Sequence, residues 1–193
     1  MQSELSLTGA AVAAQALRHK RPAKTGVVCR QAGSTSELAD HLAIRQQIFV
    51  DEQAVFSESD LDSHDQDDSA IALLGYCDGV AAGTVRLFVL DRATGLWQGD
   101  RLAVLSPYRT RGLGAPLVRC AVATAAACGG QEMIAHIQLA NIAFFRRLGW
   151  TTVGGIEIYA GLVHQPMSIV LPTQDEGIAT VRRLAAGISA RGR

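Results

Sequence analysis

The chain has 193 residues, of which 48% are hydrophobic and 19% are charged, so it can bury one sizeable hydrophobic core and little more. Its 18 basic and 18 acidic side chains give a formal net charge of zero. The whole protein therefore has no field that would draw it to nucleic acid or to a membrane surface, and we expect neither partner. The composition also excludes collagen-like, coiled-coil and wholly disordered chains.

The cysteines and the N-terminal segment together predict a reducing, cytoplasmic location. Cys29, Cys77, Cys120 and Cys128 form no CxxC pair and have no accompanying histidine spacing, which favours buried free thiols and no metal site. The first residues place Glu4 before a short apolar run and basic residues after it, the reverse of a secretory signal. No apolar stretch approaches the roughly 20 residues that a membrane-spanning helix needs.

Hydrophobic patterning divides the chain into an extension over residues 1–25, one domain over 26–172 and a C-terminal helix within 173–193. The predicted elements, in chain order, are a helix over 9–17, a strand over 27–30, a helix over 37–49 beginning near Ser36, strands over 70–77, 81–90 and 96–105, a helix over 112–128, a strand over 132–137, a helix over 141–148, strands over 151–159 and 167–171, and a helix over 175–188. Strands joined first by hairpins and then by helices predict an α/β (α+β) fold. Its mixed sheet should contain a parallel pair and carry helices on both faces.

Residues 51–68 carry eight acidic side chains, and this density of like charge predicts a loop. Two interpretations stay open: a solvated acidic linker, or an electronegative rim that receives a cationic substrate. An EF-hand is excluded because its central glycine and terminal glutamate are missing. Arg45 and Arg86 lie within apolar runs, where an unpaired charge is costly to bury, so each should have a partner or face a cleft. For Arg86 the acidic loop is a candidate partner.

The most informative segment is residues 102–115, where a predicted strand breaks into a basic, glycine-containing turn at the start of the best predicted helix. Gly112 and Gly114 would let a ligand approach the backbone closely. The first N–H groups of the helix and its dipole favour an anion, and Arg109 and Arg111 add full positive charges. The turn matches neither a Walker A motif nor a dinucleotide-binding fingerprint. It therefore predicts an anion site of another kind.

Four motifs in order resemble the GNAT N-acetyltransferase superfamily, and together they extend from about residue 27 to 171. Residues 109–115, RxxGxGA, resemble its acetyl-CoA motif, and residues 44–53 resemble the LRxxVFVxEQ signature of the ElaA-related branch. Residues 141–150 resemble the family's segment from an asparagine to YxxLGF, and residues 161–167 resemble its GxPHxxM ending. The segments FVDEQxxFxxSDxDxxD, WxGDRLAV and FFRRLGW are also similar to GNAT proteins of bacterial nitrogen-starvation gene clusters.

The resemblance implies a mostly antiparallel sheet of six to seven strands, whose parallel strands splay apart near Val104 and Ile137. Acetyl-CoA is the implied cofactor, with its pyrophosphate on the glycine-containing turn, its pantetheine arm along the preceding strand and its acyl group in the gap. The implied cofactor-binding residues are Leu102, Ala103, Val104, Arg109, Arg111, Gly112, Leu113, Gly114, Ala115, Asn141 and Phe145.

Acyl transfer to an amine needs an uncharged amine, a polarised carbonyl and a proton for the leaving thiolate. Many GNAT enzymes provide that proton from a tyrosine on the short helix, but the matching residue is Phe145. Another group or water must then act as the acid, or the thiolate leaves directly, or the chain does not transfer acyl groups. The candidate bases are Asp100, Glu52, His164, Asp62 and Asp65, and the first three of these each have a structural alternative. For Asp100 the alternative is a salt bridge with Arg101, and for Glu52 it is an ion pair with Arg45. For His164 it is a structural hydrogen bond in a turn between two strands.

The leading hypothesis is direct transfer of an acetyl group from acetyl-CoA to the amine of a small acceptor, and the acidic loop favours a cationic one. Candidate substrate-binding residues are Arg45, Phe49, Asp62, Asp65 and Arg86. The sequence leaves a homodimer open. Trp97 and Trp150 are interpreted as packing residues.

Two other functions stay open. Phe49, the run from Glu58 to Asp65, and the segment from Val85 to Leu87 also resemble a pattern of acyl-homoserine lactone synthases, which share a GNAT-like fold. A non-catalytic acyl-CoA sensor would keep the glycine-containing turn but would not transfer the acyl group, and Phe145 favours that alternative.

Overall fold

The computed structural model describes residues 26–187, so the N-terminal extension with its predicted helix, and residues 188–193, lie outside the described part of the chain. The strands are β1 (Val27–Gln31), β2 (Ile71–Cys77), β3 (Val80–Asp91), β4 (Leu96–Val104), β5 (Glu132–Gln138), β6 (Thr151–Thr152), β7 (Glu157–Tyr159) and β8 (Leu162–Val170). The α-helices are α1 (Thr35–Arg45), α2 (Gly114–Ala127), α3 (Ile142–Arg147) and α4 (Gln174–Ala186).

The strands form one sheet in the order β1-β2-β3-β4-β5-β8-β6, and β7 also pairs with β8. Every pairing is antiparallel except that of β4 with β5. The predicted mixed α/β fold with one parallel pair is confirmed. The hairpin between β2 and β3 turns at Asp78 and Gly79, whose φ values of 53° and 84° suit a two-residue turn.

Over the described residues the sheet has eight strands rather than six or seven, because the predicted strand over 151–159 is two short strands, interrupted at Gly154 and Gly155. Both pair with β8, which begins at Leu162 and not at residue 167. The sequence hides this start because Pro166, which cannot donate to a ladder, lies in mid-strand. The prediction of a turn at His164 is therefore wrong: this residue lies within β8 and is buried.

The helices begin and end close to the predicted positions, with local corrections. Ser34, not Ser36, caps α1 by accepting a hydrogen bond from the Glu37 backbone N–H. After Arg45 the chain continues as π-helix over Gln46–Glu52 instead of α-helix. Helix α2 begins two residues later than predicted because Ser106–Arg111 form a 3₁₀ turn.

Helices cover both faces of the sheet. The larger core, on one face, includes residues of α2, α3 and α4, among them Leu117, Phe145 and Leu184. The smaller core lies on the other face of the sheet and includes Ile44 of α1 and Ile48 of the π-helix. Three of the four cysteines are buried, but the one at position 128 is exposed. Among residues 26–187, no helix combines the length and apolar character that crossing a membrane requires.

Strands β4 and β5 pair only at their first three residues, Leu96–Gln98 with Glu132–Ile134. Beyond them β4 follows β3 and β5 follows β8, so the parallel strands separate. Strand β4 also carries a bulge: its register with β3 shifts, and Arg101 has a φ of 51°. The predicted splay is thus present, with an irregular backbone along one side of it.

Candidate active site

A cavity of about 130 Å³ lies in the gap between β4 and β5. Gly99–Leu102 line it from β4 and Ala135–Gln138 line it from β5, in both cases directly beyond the last paired residues. The bulge at Arg101 is part of this wall. The cavity therefore exists because the two parallel strands stop pairing there.

One side of the cavity is apolar. Along β5, Met133, Ala135 and Ile137 point into the larger core, as the alternation of side chains along a strand requires. Helices α2 and α3 and the loop after α3 complete this side with Val118, Ala121, Phe145 and Trp150. These side chains can enclose an aliphatic or acyl chain, but they supply no proton near neutral pH.

The other side of the cavity is polar. His136 and Gln138 alternate with the core residues of β5 and so lie on the opposite face of the sheet. Gln138 is directly across from His164 of β8, and His164 is directly across from Glu157 of β7. Tyr159, two residues beyond Glu157, shares that face and lines the cavity. Three strands thus bring one row of polar side chains to the gap.

The contacts within this row fix the rings. The Tyr159 ring meets the His136 ring edge to face, with centroids 4.0 Å apart, and its oxygen accepts a hydrogen bond of 3.1 Å from Gln98. Nε2 of His136 lies 3.4 Å from Glu157, while its buried Nδ1 has no hydrogen-bond partner among the described residues. Nδ1 of His164 lies 2.9 Å from the Leu162 carbonyl oxygen. A neutral imidazole that donates there keeps its Nε2 as an acceptor.

Burial shifts the pKa of two members of the row in opposite directions. It lowers the pKa of His136 below its usual value, which favours the neutral imidazole. It raises the pKa of Tyr159 above its usual value of 10, and nearby Asp100 adds to that effect. At neutral pH the row therefore holds a neutral imidazole beside a protonated phenol.

The turn before α2 is open to solvent. Gly112 has a φ of 76°, and a Cβ atom placed there would meet no atom within 4 Å. Leu113, at the N-cap position of α2, forms no side-chain cap, so within residues 26–187 no side chain accepts a hydrogen bond from the first N–H groups of the helix. This surface fits a diphosphate, because its donors are backbone groups and its conformation leaves space for the ligand.

The family model described as Acetyltransferase (GNAT) family matches residues 38–150. The chain belongs to the GNAT acetyltransferase family. It is 26% identical over 137 residues to the uncharacterized N-acetyltransferase YjcF of Bacillus subtilis strain 168, an alignment that covers 70% of this chain and 94% of that protein. Membership makes the protein an acyltransferase of a fold that binds acyl-CoA.

Two solved structures show the same fold at low sequence identity. Escherichia coli ElaA superposes with a TM-score of 0.64 at 20% identity, over 74% of this chain and 97% of that one. BjaI, a CoA-dependent acyl-homoserine lactone synthase solved with SAM and isopentyl-CoA, superposes with a TM-score of 0.61 at 17% identity, over 82% and 88% of the two chains. At these identities the likeness extends to the fold alone.

Several residues expected from the GNAT resemblance to bind the cofactor lie around the gap. Leu102 and Asn141 line the cavity, Val104 packs against the larger core, and the Ala103 side chain is buried in the smaller one. Phe145 lines the cavity and contacts the rings of Phe144 and Trp150 edge to face. In the turn, Gly114 and Ala115 begin α2, and the Leu113 side chain is buried. Their roles in binding stay predictions.

The two arginines of the turn already have partners. Nη2 of Arg109 pairs with Glu52, and its Nε donates to the Val104 carbonyl over 3.1 Å. Arg111 pairs with Asp78 at 2.6 Å. Glu52 therefore contacts the predicted phosphate site rather than Arg45, which was its expected structural partner. All four charged side chains are well exposed to solvent.

The residues expected to contact substrate divide into two groups. Phe49 lines the cavity, whereas the other four belong to a buried ion-pair network of three arginines and four aspartates. Its members are Arg45, Arg86, Arg101, Asp60, Asp62, Asp65 and Asp100. Arg86 does meet the acidic loop, as anticipated. The solvated-linker interpretation is wrong for this part of the loop, because Asp60 is only 3% exposed.

Asp100, a candidate base, is held by this network at the edge of the cavity. Both of its carboxylate oxygens accept hydrogen bonds from Arg86, at 2.9 and 2.7 Å, and Arg101 lies 3.6 Å away. Strict alternation along the predicted strand over 96–105 would place Asp100 on one face with Leu102 and Val104. The bulge interrupts that alternation after Asp100, so this expectation fails. Its catalytic role stays a prediction.

The sequence did not identify Tyr159 or His136. Tyr159 lies in a three-residue edge strand, and only pairing through β8 brings it to the gap. For His136 a signal was present, because the apolar residues at 133, 135 and 137 alternate with polar or less buried ones. That alternation predicts that His136 points away from the main core.

Proposed function

We propose that the protein transfers an acetyl group from acetyl-CoA directly to the amine of a small acceptor. The observation that carries the proposal is the cavity between the splayed strands, close to an open, uncapped helix N-terminus. A thioester group fits the cavity, and a diphosphate fits the helix N-terminus. The family gives the reaction class, while the donor, the acceptor and the direct transfer are the proposal.

The backbone of residues 109–115 would hold the diphosphate, and the backbone of Leu102–Val104 would hold the pantetheine arm. Bound acetyl-CoA supplies the activated acyl group as a thioester. Phe145 and Trp150 exclude water from the apolar side of the cavity, which protects a thioester from hydrolysis. Asn141, at the start of α3, adds an amide at the rim of the cavity.

Among the candidate bases, we favour His164. It lines the cavity, and the hydrogen bond from Nδ1 to Leu162 leaves Nε2 free to accept a proton from the acceptor amine. Both carboxylate oxygens of Asp100 accept hydrogen bonds from Arg86, so neither is as open to the acceptor amine as Nε2 of His164. Glu52 pairs with Arg109 and would act on the phosphate site.

A cationic acceptor is supported less by the acidic loop than the sequence suggests. The four aspartates and three arginines of the network leave one net negative charge, and only Asp100 and Arg101 of the network line the cavity. Glu157, which is 45% exposed, adds a carboxylate beside the polar side of the cavity. We therefore propose a small amine with few positive charges rather than a polycation.

A turnover screen tests the proposal. Acetyl-CoA is incubated with polyamines, amino acids and aminoglycosides, and release of free thiol is followed. Acceptor-dependent release with intersecting initial-velocity lines supports direct transfer, whereas parallel lines would indicate a covalent acyl-enzyme and contradict it. Binding of acetyl-CoA without thiol release for any acceptor would favour the sensor alternative.

A second candidate is an acyltransferase similar to acyl-homoserine lactone synthases. The specific observation in its favour is that the residues resembling that pattern, Arg86 with Asp62 and Asp65, form one ion-pair cluster beside the cavity. Calorimetry with acetyl-CoA and with longer acyl-CoA thioesters, together with an assay containing S-adenosylmethionine, separates the two. Lactone formation with a longer acyl donor and weak acetyl-CoA binding would favour the synthase.

A further inference from the structure

The leaving group of the proposed reaction is an alkyl thiolate, which is basic enough to gain from protonation as it departs. Phe145 has no proton to offer from the apolar side of the cavity. Asp100 offers none either, because both of its carboxylate oxygens already accept hydrogen bonds from Arg86. Among the described residues that line the cavity, Tyr159 alone carries a hydroxyl group.

The surroundings of Tyr159 suit a proton donor. Its oxygen accepts a hydrogen bond from the amide of Gln98, which stabilises negative charge developing on that oxygen. The hydroxyl proton has no acceptor among the described residues and stays available. The ring is held edge to face between His136, at 4.0 Å, and His164, at 5.7 Å between centroids. Ring orientation is therefore set before any ligand binds.

We propose that Tyr159 is the proton donor to the leaving thiolate. The inference rests on the proposed function and adds to it a catalytic group from strand β7. As the carbon–nitrogen bond forms, His164 takes the proton that the amine loses. As the carbon–sulfur bond breaks, the Tyr159 hydroxyl gives its proton to the sulfur. The imidazolium then loses one proton to solvent and the phenolate regains one, so the net change is one proton moved from nitrogen to sulfur.

The charges that face Tyr159 keep it protonated at neutral pH. Burial and Asp100 of β4 raise its pKa, and the Gln98 hydrogen bond, Arg101 and Arg86 oppose that rise without cancelling it. His136 of β5 and His164 of β8 contact the ring, and Glu157 lies two residues away on the same strand. Tyr159 therefore holds its proton at neutral pH and can act as an acid there.

The first experiment compares Tyr159→Phe with wild type and with Tyr76→Phe. The first variant keeps both ring contacts and loses only the hydroxyl. The second removes a hydroxyl that pairs with Glu37, remote from the cavity. With acetyl-CoA and the best acceptor of the screen, we expect Tyr159→Phe to lower kcat by about 100-fold while the KM values and the CoA dissociation constant change by less than about threefold. Tyr76→Phe should match wild type.

Two further readouts separate proton donation from a structural role. With S-phenyl thioacetate, whose leaving thiolate is less basic, the deficit of Tyr159→Phe should shrink to less than about tenfold. The ultraviolet difference titration between wild type and Tyr159→Phe should show a phenol that ionises above pH 10. An equal deficit for both thioesters, ionisation of Tyr159 below pH 8, or unchanged kcat in the variant overturns the proposal. Absence of turnover by wild type would overturn the proposed function as well, so the two failures are distinguishable.

Discussion

Gly112→Glu is the sharpest test of the phosphate site. The residue has φ and ψ of 76° and 21°, and a Cβ atom there meets nothing within 4 Å. A side chain is therefore accommodated without collision, and the left-handed conformation costs about 1–2 kcal/mol. The new carboxylate would lie beside the N-terminus of α2, where we place the diphosphate. The variant should fold, because the glycine is exposed and no core residue moves.

The expected loss of affinity follows from the added charge. Two unit charges about 6 Å apart repel by about 3 kcal/mol at an effective dielectric constant of about 20. Physiological salt roughly halves that value, and the two charges of a diphosphate double it again. A net repulsion of about 3 kcal/mol corresponds to CoA binding weakened by about 100-fold.

Gly112→Ala is the matched control because it carries the same backbone strain without the charge. Calorimetric titration with CoA should show a loss of less than about tenfold for alanine and of about 100-fold for glutamate. The difference between the two variants should shrink as salt concentration increases. Equal affinities of Gly112→Glu and Gly112→Ala would refute the assignment of this turn as the diphosphate site.

Three more predictions address the buried charges and the turn. Arg86→Met leaves Asp100 without its main partner and should lower the free energy of urea unfolding by about 3–5 kcal/mol, whereas a change below 1 kcal/mol would show that the network contributes little. Burial and the charge of a neighbouring arginine lower the pKa of His41 to about 4. As the pH falls, the unfolded chain therefore protonates His41 before the folded protein does, and the free energy of unfolding should fall by about 3 kcal/mol from pH 7 to pH 4. His41→Gln should largely remove this pH dependence. Glu52→Gln frees Arg109 and should tighten CoA binding up to about fivefold with turnover retained, whereas a large loss of turnover at unchanged affinity would identify Glu52 as the base.

The sequence predicts best what depends on neighbouring residues. The turn at Asp78 and Gly79 needs two adjacent residues with positive φ, and the pair defines a hairpin wherever it occurs between apolar runs. Helix α2 can also be predicted from neighbouring residues, because its alanine-rich segment lies between the glycine-containing turn and a glycine pair. The proposed anion site could be predicted for the same reason, because its components lie within one segment of about 14 residues.

The polar side of the cavity could not be predicted from the sequence, because it depends on pairing between strands that are far apart along the chain. Gln98 and Tyr159 are 61 residues apart and share a hydrogen bond only after β7 has paired with β8. Pro166 and two adjacent glycines conceal the strands that make this pairing. The ion pairs of the acidic loop likewise join residues 15 to 41 positions apart. From charge density alone, the loop aspartates were predicted to face solvent or a substrate. In the structure their partners are arginines of the same chain.

Those arginines connect the acidic loop to the shape of the cavity. Arg101 holds the left-handed conformation of the β4 bulge, which costs about 1–2 kcal/mol in a residue other than glycine. Its guanidinium binds Asp60 and Asp62 of the loop at 3.0 and 2.8 Å and lies 4.9 Å from the centre of the Phe56 ring, which lines the cavity. These buried bonds can stabilise the strained backbone only when the loop is in position. The loop is therefore a structural part of the cavity wall, and its aspartates bind the residue at which β4 bulges beside the gap.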